Sequence, residues 1–286
     1  MPDARVAFEL LVAVTVLVTA FTIGLDSRAA SFRNAMRRRR AVFATMFVNG
    51  VMVPVTAFVL VNAYPVRGSD ETGVVLCAIC AGGPLGLKAA QLARGDLAWA
   101  VSIISFMTVL NAGLLPLWTS LLLPVSMTVR PADLLGAMFV IIVLPMAAGV
   151  WYRRRGPARA AETVPRLEAA STVTLALAVA AGLLAHFDQV WLTVSSWTPV
   201  VIVMLMALAG PAGYFACGPP NAVRYVSTVV AINRGTGIAL LVASRSFADQ
   251  GRVISAMITF GILQTIVVLA LAFVWRGRAT ITTPAG

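Results

Sequence analysis

Ala81-Gly82-Gly83-Pro84-Leu85-Gly86-Leu87-Lys88 interrupts an apolar run that is otherwise long enough to cross a bilayer. Adjacent glycines weaken a helix interior, and proline removes a backbone donor while clashing with the turn before it. The break is followed by Lys88, the only lysine among 286 residues. Irregular backbone and a cation at membrane depth are tolerated where they face protein or water, so the stretch reads as a site. A second break, Asn233-Arg234-Gly235-Thr236-Gly237, lies near the other end of the chain. Paired interruptions in corresponding halves point to the binding site of a secondary transporter.

Composition agrees. Apolar residues make up 59% of the chain, charged residues 12%, and mean hydropathy is +0.90. A soluble domain could not hide that much apolar surface, which implies an all-α polytopic membrane protein in a lipid bilayer. The net charge of +11 does not mark a nucleic-acid binder, because the arginines fall in short segments between apolar runs. Nine transmembrane helices are predicted, at about 6–25, 41–62, 72–92 (broken), 96–122, 132–152, 167–186, 196–216, 222–244 (broken) and 252–275. With the N-terminus outside, fifteen arginines lie on the cytoplasmic side and five outside, as the positive-inside rule requires. The C-terminus is then inside. All six tryptophans fall toward span ends, as in an aromatic belt.

The broken spans are the third and the eighth, so they run in opposite directions. That spacing predicts an inverted repeat of five helices with the first helix of the first repeat missing, and two broken crossing helices. Half-helix N-termini at the breaks would present partial positive charge to an anion. Asn49, Thr108, Asn111, Asn233 and Thr236 are polar residues inside spans, each either helix–helix glue or site lining. Cys77 and Cys80 read as small residues at a packing face, His186 as an interfacial anchor, and Glu9 and Glu168 as interfacial acids. Asp96 is placed to cap the helix that follows it. No catalytic set occurs at membrane depth, so an enzyme is not expected.

Phe21-Thr22-Ile23-Gly24-Leu25 before an Arg-rich loop, Gly82-Gly83, Leu92-Ala93-Arg94-Gly95-Asp96, Pro116-Leu117-Trp118 and the segment Arg224 to Leu241 resemble the bile acid:sodium symporter family over nearly the whole chain. The resemblance implies one transporter domain, residues 1–286, in the bacterial cytoplasmic (inner) membrane. Its core helices would be about 41–122 and 196–275, and its panel helices about 6–25 and 132–186. It also implies uptake of a small organic anion driven by sodium bound behind the crossing. The breaks themselves place the candidate crossover and substrate site at Gly82, Gly83, Pro84, Lys88, Thr108, Asn111, Arg234, Gly235 and Thr236.

Several positions depart from that pattern. The Ser-Asn pair after the Gly-Gly turn is Gly86-Leu87 here, and two hydroxyl residues on the next helix are Ala100 and Ile104. The shared acidic ligand falls at Val229, and the Gln-Asn pair after it at Asn233-Arg234. Hard cations need several oxygens, usually one of them anionic. The first sodium site is therefore read as lost, and the second would have only Asn49, Asn233 and the carbonyls of Val230 and Ile232. No cofactor is expected. Lys88 and Arg234 would replace the ions, hold the crossing together and leave a positive site for the anion. Lys88 has a second reading, in which it carries its ammonium to the inner interface; enclosed beside Arg234, it would instead open a proton-coupled cycle. Two other functions fit the residues: a sodium symporter keeping one site, and a membrane sensor that binds without transport. The sequence does not set the oligomeric state.

Overall fold

The computed structural model describes residues 2–27, 29–66, 68–83, 85–122, 136, 139–218, 221–247 and 250–281. Pro84, named above with the first break, lies outside them, as does the start of the span expected at 132–152. The described residues are helical almost throughout, and the chain is a polytopic membrane protein. Among the described residues, five helices are long and apolar enough to cross a bilayer: Arg39–Ala63, Leu97–Leu122, Pro157–Ala185, Thr198–Ala216 and Gly251–Arg276.

In chain order, α1 is Pro2–Asp26, α2 Ala29–Arg37, α3 Arg39–Phe47 and α4 Val53–Ala63. Between α3 and α4, Val48–Met52 form a π-helical turn inside one continuous span. The first broken span is α5 (Ser69–Ile79) and α6 (Leu85–Leu92), and α7 is Leu97–Leu122. Then come α8 (Leu144–Arg155, after a π turn at Phe139–Val143), α9 (Pro157–Ala185), α10 (Phe187–Val194) and α11 (Thr198–Ala216). The second broken span is α12 (Asn221–Ile232) and α13 (Thr236–Ser246), and α14 is Gly251–Ile281.

Two short helices were not foreseen: α2, made from the Arg-rich loop, and α10. The span expected at 167–186 is the later part of the longer α9, because Arg159, Glu162 and Arg166 are good helix formers and extend it.

One packed layer is α1 with α8 and α9. Gly24 and Gly149 let the first two approach so closely that a Cβ at Gly24 would lie 2.1 Å from the Met146 carbonyl oxygen, and one at Gly149 2.2 Å from that of Phe21. Close approach through small residues is how apolar helices associate where lipid competes equally for their surface. Gly24→Ala is expected to cost about 1–3 kcal/mol by forcing the helices apart. Gly113→Ala, with nothing within 4 Å, serves as a neutral control. Thermal unfolding of the detergent-purified variants would show it, and equal midpoints would refute the close packing.

The aromatic belt is only partly realised. Trp151, Trp191 and Trp197 are exposed, but Trp99 is buried and donates to Ser227 Oγ (3.0 Å), and Trp275 is buried and stacks on Tyr225. Asp96 Oδ1 accepts from the Trp99 amide (3.0 Å), the cap predicted for α7.

Candidate functional site

The two breaks meet. Ala81 and Arg234 form an antiparallel bridge, and the Gly235 amide donates to the Cys80 carbonyl at 2.7 Å. Backbone freed from both helices is thereby paired within the membrane, as it must be. Glycine is required here. Gly82 has φ +74°, and a Cβ at Gly83 would lie 2.8 Å from the Arg234 carbonyl oxygen.

Each break is held by a side-chain amide thirty residues further along the chain. Asn111 accepts from the Ala81 amide (3.2 Å) and donates to the Ala81 carbonyl. Gln264 accepts from the Arg234 amide (2.8 Å) and donates to the Arg234 carbonyl (3.2 Å). Sequence reasoning found Asn111 and missed Gln264; the equal offset was the available signal. Asn111→Ala and Gln264→Ala each leave a buried amide and carbonyl unpaired, with an expected cost of about 1–3 kcal/mol per unsatisfied group. Comparable falls in unfolding midpoint for the two variants would match their equivalent roles, and a silent Gln264→Ala would contradict them.

Arg234 is 1% exposed and anchors the crossing. Its guanidinium donates to Asn49 Oδ1 (3.0 Å), the Asn49 carbonyl (2.8 Å), the Ala78 carbonyl (2.8 Å) and, more weakly, the Ala231 carbonyl (3.4 Å). These acceptors are free for local reasons. Val53 donates to the Val48 carbonyl across the π turn, and Pro54 has no N–H, so the Asn49 carbonyl has no helical partner. Ala78 and Ala231 lie in the last turns of α5 and α12, where carbonyls are unpaired and the helix dipole is negative. Two half-helix C-termini and a π turn therefore converge on one fixed cation.

Asn233 fills the space left by a missing side chain. Its Nδ2 donates to the Gly83 carbonyl (2.7 Å) and lies 3.0 Å from where a Cβ at Gly86 would sit. Its Oδ1 is buried and unpartnered. Val230 and Ile232 are buried in the last turns of α12, and Val229, Ala100 and Ile104 are apolar core.

A cavity of about 550 Å³ lies between α1 and α9 on one side and α6, α7, the crossing and α14 on the other. Leu85, Leu87, Ile104, Leu175 and Val179 give it an apolar wall, and Asp26, Lys88 and Glu168 supply charge. Lys88 Nζ contacts Thr172 Oγ1 (2.5 Å) and the Glu168 carbonyl (3.5 Å).

The structure does not join the two cations. Arg234 reaches the cavity wall but directs its guanidinium to Asn49 and the helix ends, whereas Lys88 lies against α9. Thr236 lines the cavity, and Gly82, Thr108, Gly235 and Thr236 line a smaller neighbouring one. Glu168, expected only as an interfacial acid, is half-buried on the main wall.

The model of the Sodium Bile acid symporter family matches residues 13–191. The chain is 23% identical over 282 residues to the ileal sodium/bile acid cotransporter of Oryctolagus cuniculus, covering 95% of this chain and 79% of that protein. It is 25% identical over 164 residues to the sodium-dependent organic anion transporter of Rattus norvegicus, 54% of this chain and 43% of the relative. It is also 24% identical over 168 residues to the uncharacterized sodium-dependent transporter YocS of Bacillus subtilis (strain 168), covering 58% and 52%. A family of symporters is one of transporters rather than enzymes. This chain belongs to the sodium bile acid symporter family.

Proposed function

We propose that the chain carries a small organic anion across the bacterial cytoplasmic membrane through the 550 Å³ cavity, with the Arg234 guanidinium standing in for the sodium ions that its relatives' names invoke. The observation that carries this reading is the convergence of Asn49, Ala78 and Ala231 oxygens on Arg234. Half-helix C-termini and unwound carbonyls are the groups that coordinate sodium in broken-helix transporters, and here a permanent charge takes them. The residues do not suit two sodium ions. Gly86, Leu87, Ala100, Ile104 and Val229 have no side-chain oxygen, and Asn49 Oδ1 already accepts from Arg234.

The anion is favoured by the N-termini of α6 and α13, whose first residues Leu85 and Thr236 line the cavity, and by Lys88 on its wall. The bridged breaks and the matched amides of Asn111 and Gln264 support the inverted repeat and, with it, the nine-span topology, N-terminus outside. A second reading keeps sodium at one site. It rests on Asn233 Oδ1, a buried acceptor without a partner on the cavity wall.

Thermal-shift screening of organic anions, with either sodium or choline as the cation, separates the two, since a ligand of the native state raises stability by mass action. Equal stabilisation by an anion in both salts is the expected result. A shift that requires sodium would favour the second reading, and one that never leads to transport in vesicles would favour a sensor.

A further inference from the structure

The cavity that carries the anion has an acid beside its base. Lys88 on α6 meets α9 at the turn from Glu168 to Thr172. There the Glu168 carbonyl accepts from Ser171 Oγ (3.0 Å) and Thr172 Oγ1 (2.7 Å) as well as from Lys88. Among the described residues Lys88 makes no ion pair, so its ammonium is bonded to neutral oxygens only. Glu168 is half-buried on the same cavity wall, which Asp26 also lines.

We infer that Glu168 is a proton-binding site that competes with the transported anion for Lys88, so that anion and proton cross together; this rests on the transport reading above. An ionised Glu168 balances the ammonium and repels a second carboxylate. A proton taken from water on the open side neutralises Glu168, leaves Lys88 as uncompensated positive charge, and lets an anionic head group bind there. Loss of that proton on the other side restores the competition and expels the anion. One proton accompanies one monoanion, and the step moves no net charge.

The other charged groups on that wall are Asp26 at the end of α1 and Arg234 at the crossing; Arg153 of α8 donates to the Leu25 carbonyl one residue before Asp26. Arg234 is tied to Asn49 and Ala78 and does not move with the proton. Lys88, the proton carrier considered from sequence, becomes the anion's partner, and the carrier is the acid on the facing helix.

The test uses the whole purified protein and cholate, a bile acid, as probe. Cholate affinity should rise toward acid pH by at most about tenfold per unit, the limit for one linked proton. In proteoliposomes a pH gradient should drive cholate accumulation and a sodium gradient should not. Glu168→Gln should make cholate exchange independent of pH and abolish gradient-driven accumulation. Glu162→Gln, exposed on the same helix, should behave as wild type. Infrared titration of the protein without ligand should show a carboxyl band that Glu168→Gln removes. Persistent pH-driven accumulation in Glu168→Gln, accumulation driven by sodium instead, or an unchanged infrared titration would overturn the inference. Absence of wild-type exchange, for cholate and for every anion that raises the unfolding midpoint, would overturn the transport reading beneath it, whereas exchange without pH-driven accumulation would overturn proton coupling alone.

Discussion

Arg234→Ala is expected to lower stability by about 3–5 kcal/mol, the cost of removing one side of a buried charged arrangement. Four acceptors lose a charge-assisted donor: Asn49 Oδ1 and the carbonyls of Asn49, Ala78 and Ala231. Such bonds contribute about 1.5–3 kcal/mol each, so the gross loss exceeds the net figure. The difference is the desolvation cost of a guanidinium that is 1% exposed, which the alanine no longer incurs. Arg234→Lys should fall between, because one ammonium on a shorter stem cannot reach both Asn49 and Ala78 with a planar fork.

Thermal unfolding of the detergent-purified variants, run in sodium and in choline, is the measurement. An Arg234→Ala midpoint within about 2 °C of wild type, a small fraction of what a loss of this size predicts, would mean that the guanidinium does not hold the crossing. The double variant Val229→Glu with Arg234→Asn returns an acid and a neutral amide to the positions that the family resemblance assigns to sodium ligands. It should be more stable in sodium than in choline. Indifference to the cation would show that the fixed charge is not a substitute for an ion.

The second large effect concerns Asp70, which the sequence reading passed over. Its carboxylate is fully buried at the start of α5. Oδ1 accepts from Arg252 Nε (3.2 Å) and Thr193 Oγ1 (3.3 Å), and Oδ2 from the terminal Arg252 nitrogen (2.9 Å) and Thr198 Oγ1 (3.2 Å). One side chain thus ties α5, α10, α11 and α14 together. Asp70, Thr198 and Arg252 stand in the first turns of α5, α11 and α14, and Thr193 in the last turn of α10.

Asp70→Ala is expected to cost about 2–6 kcal/mol, because it strands the buried hydroxyls of Thr193 and Thr198 at about 1–3 kcal/mol each. Arg252→Ala should cost less, since its side chain is 37% exposed and water can replace part of what it gives. Their double-mutant cycle should return a favourable coupling of about 1 kcal/mol or more. Equal losses from the two single variants, or no coupling, would contradict the asymmetry of burial. Loss of this tie should also expose the far ends of α5 and α14 to water-soluble thiol reagents through a cysteine introduced at Ser69, with Arg252→Ala intermediate.

Glycine, proline and charge are local properties, and local properties made the two breaks legible. Gly82-Gly83 and Asn233-Arg234-Gly235 stand out in apolar runs because each disfavours an uninterrupted helix by its own chemistry. Positions rather than pairings came out of the same reading. Arg234 was recognised as a buried cation, yet whether its fork faced ligand or protein depended on acceptors nearly two hundred residues away in Asn49. A local signal did exist: Pro54 and the Val48–Met52 π turn leave the Asn49 carbonyl without a helical donor. The place of Glu168 on the cavity wall was hidden for a related reason. Depth along its own span suggested an interface, whereas the cavity forms only when α9 packs beside α1 and faces α6.

By itself, then, the sequence determined that this chain lies in a membrane, that two of its spans break, and that a cation sits at each break. Those facts follow from hydropathy, backbone propensity and charge placement, which need no partner to act. Only the tertiary structure decided that Arg234 closes two helix ends, that Lys88 shares a cavity wall with Glu168, and that Asn111 and Gln264 clamp matching backbone groups. Each of those is a hydrogen bond or a shared surface between remote segments. Short-range directional contacts of that kind are fixed by packing geometry and leave no periodic trace in the order of residues.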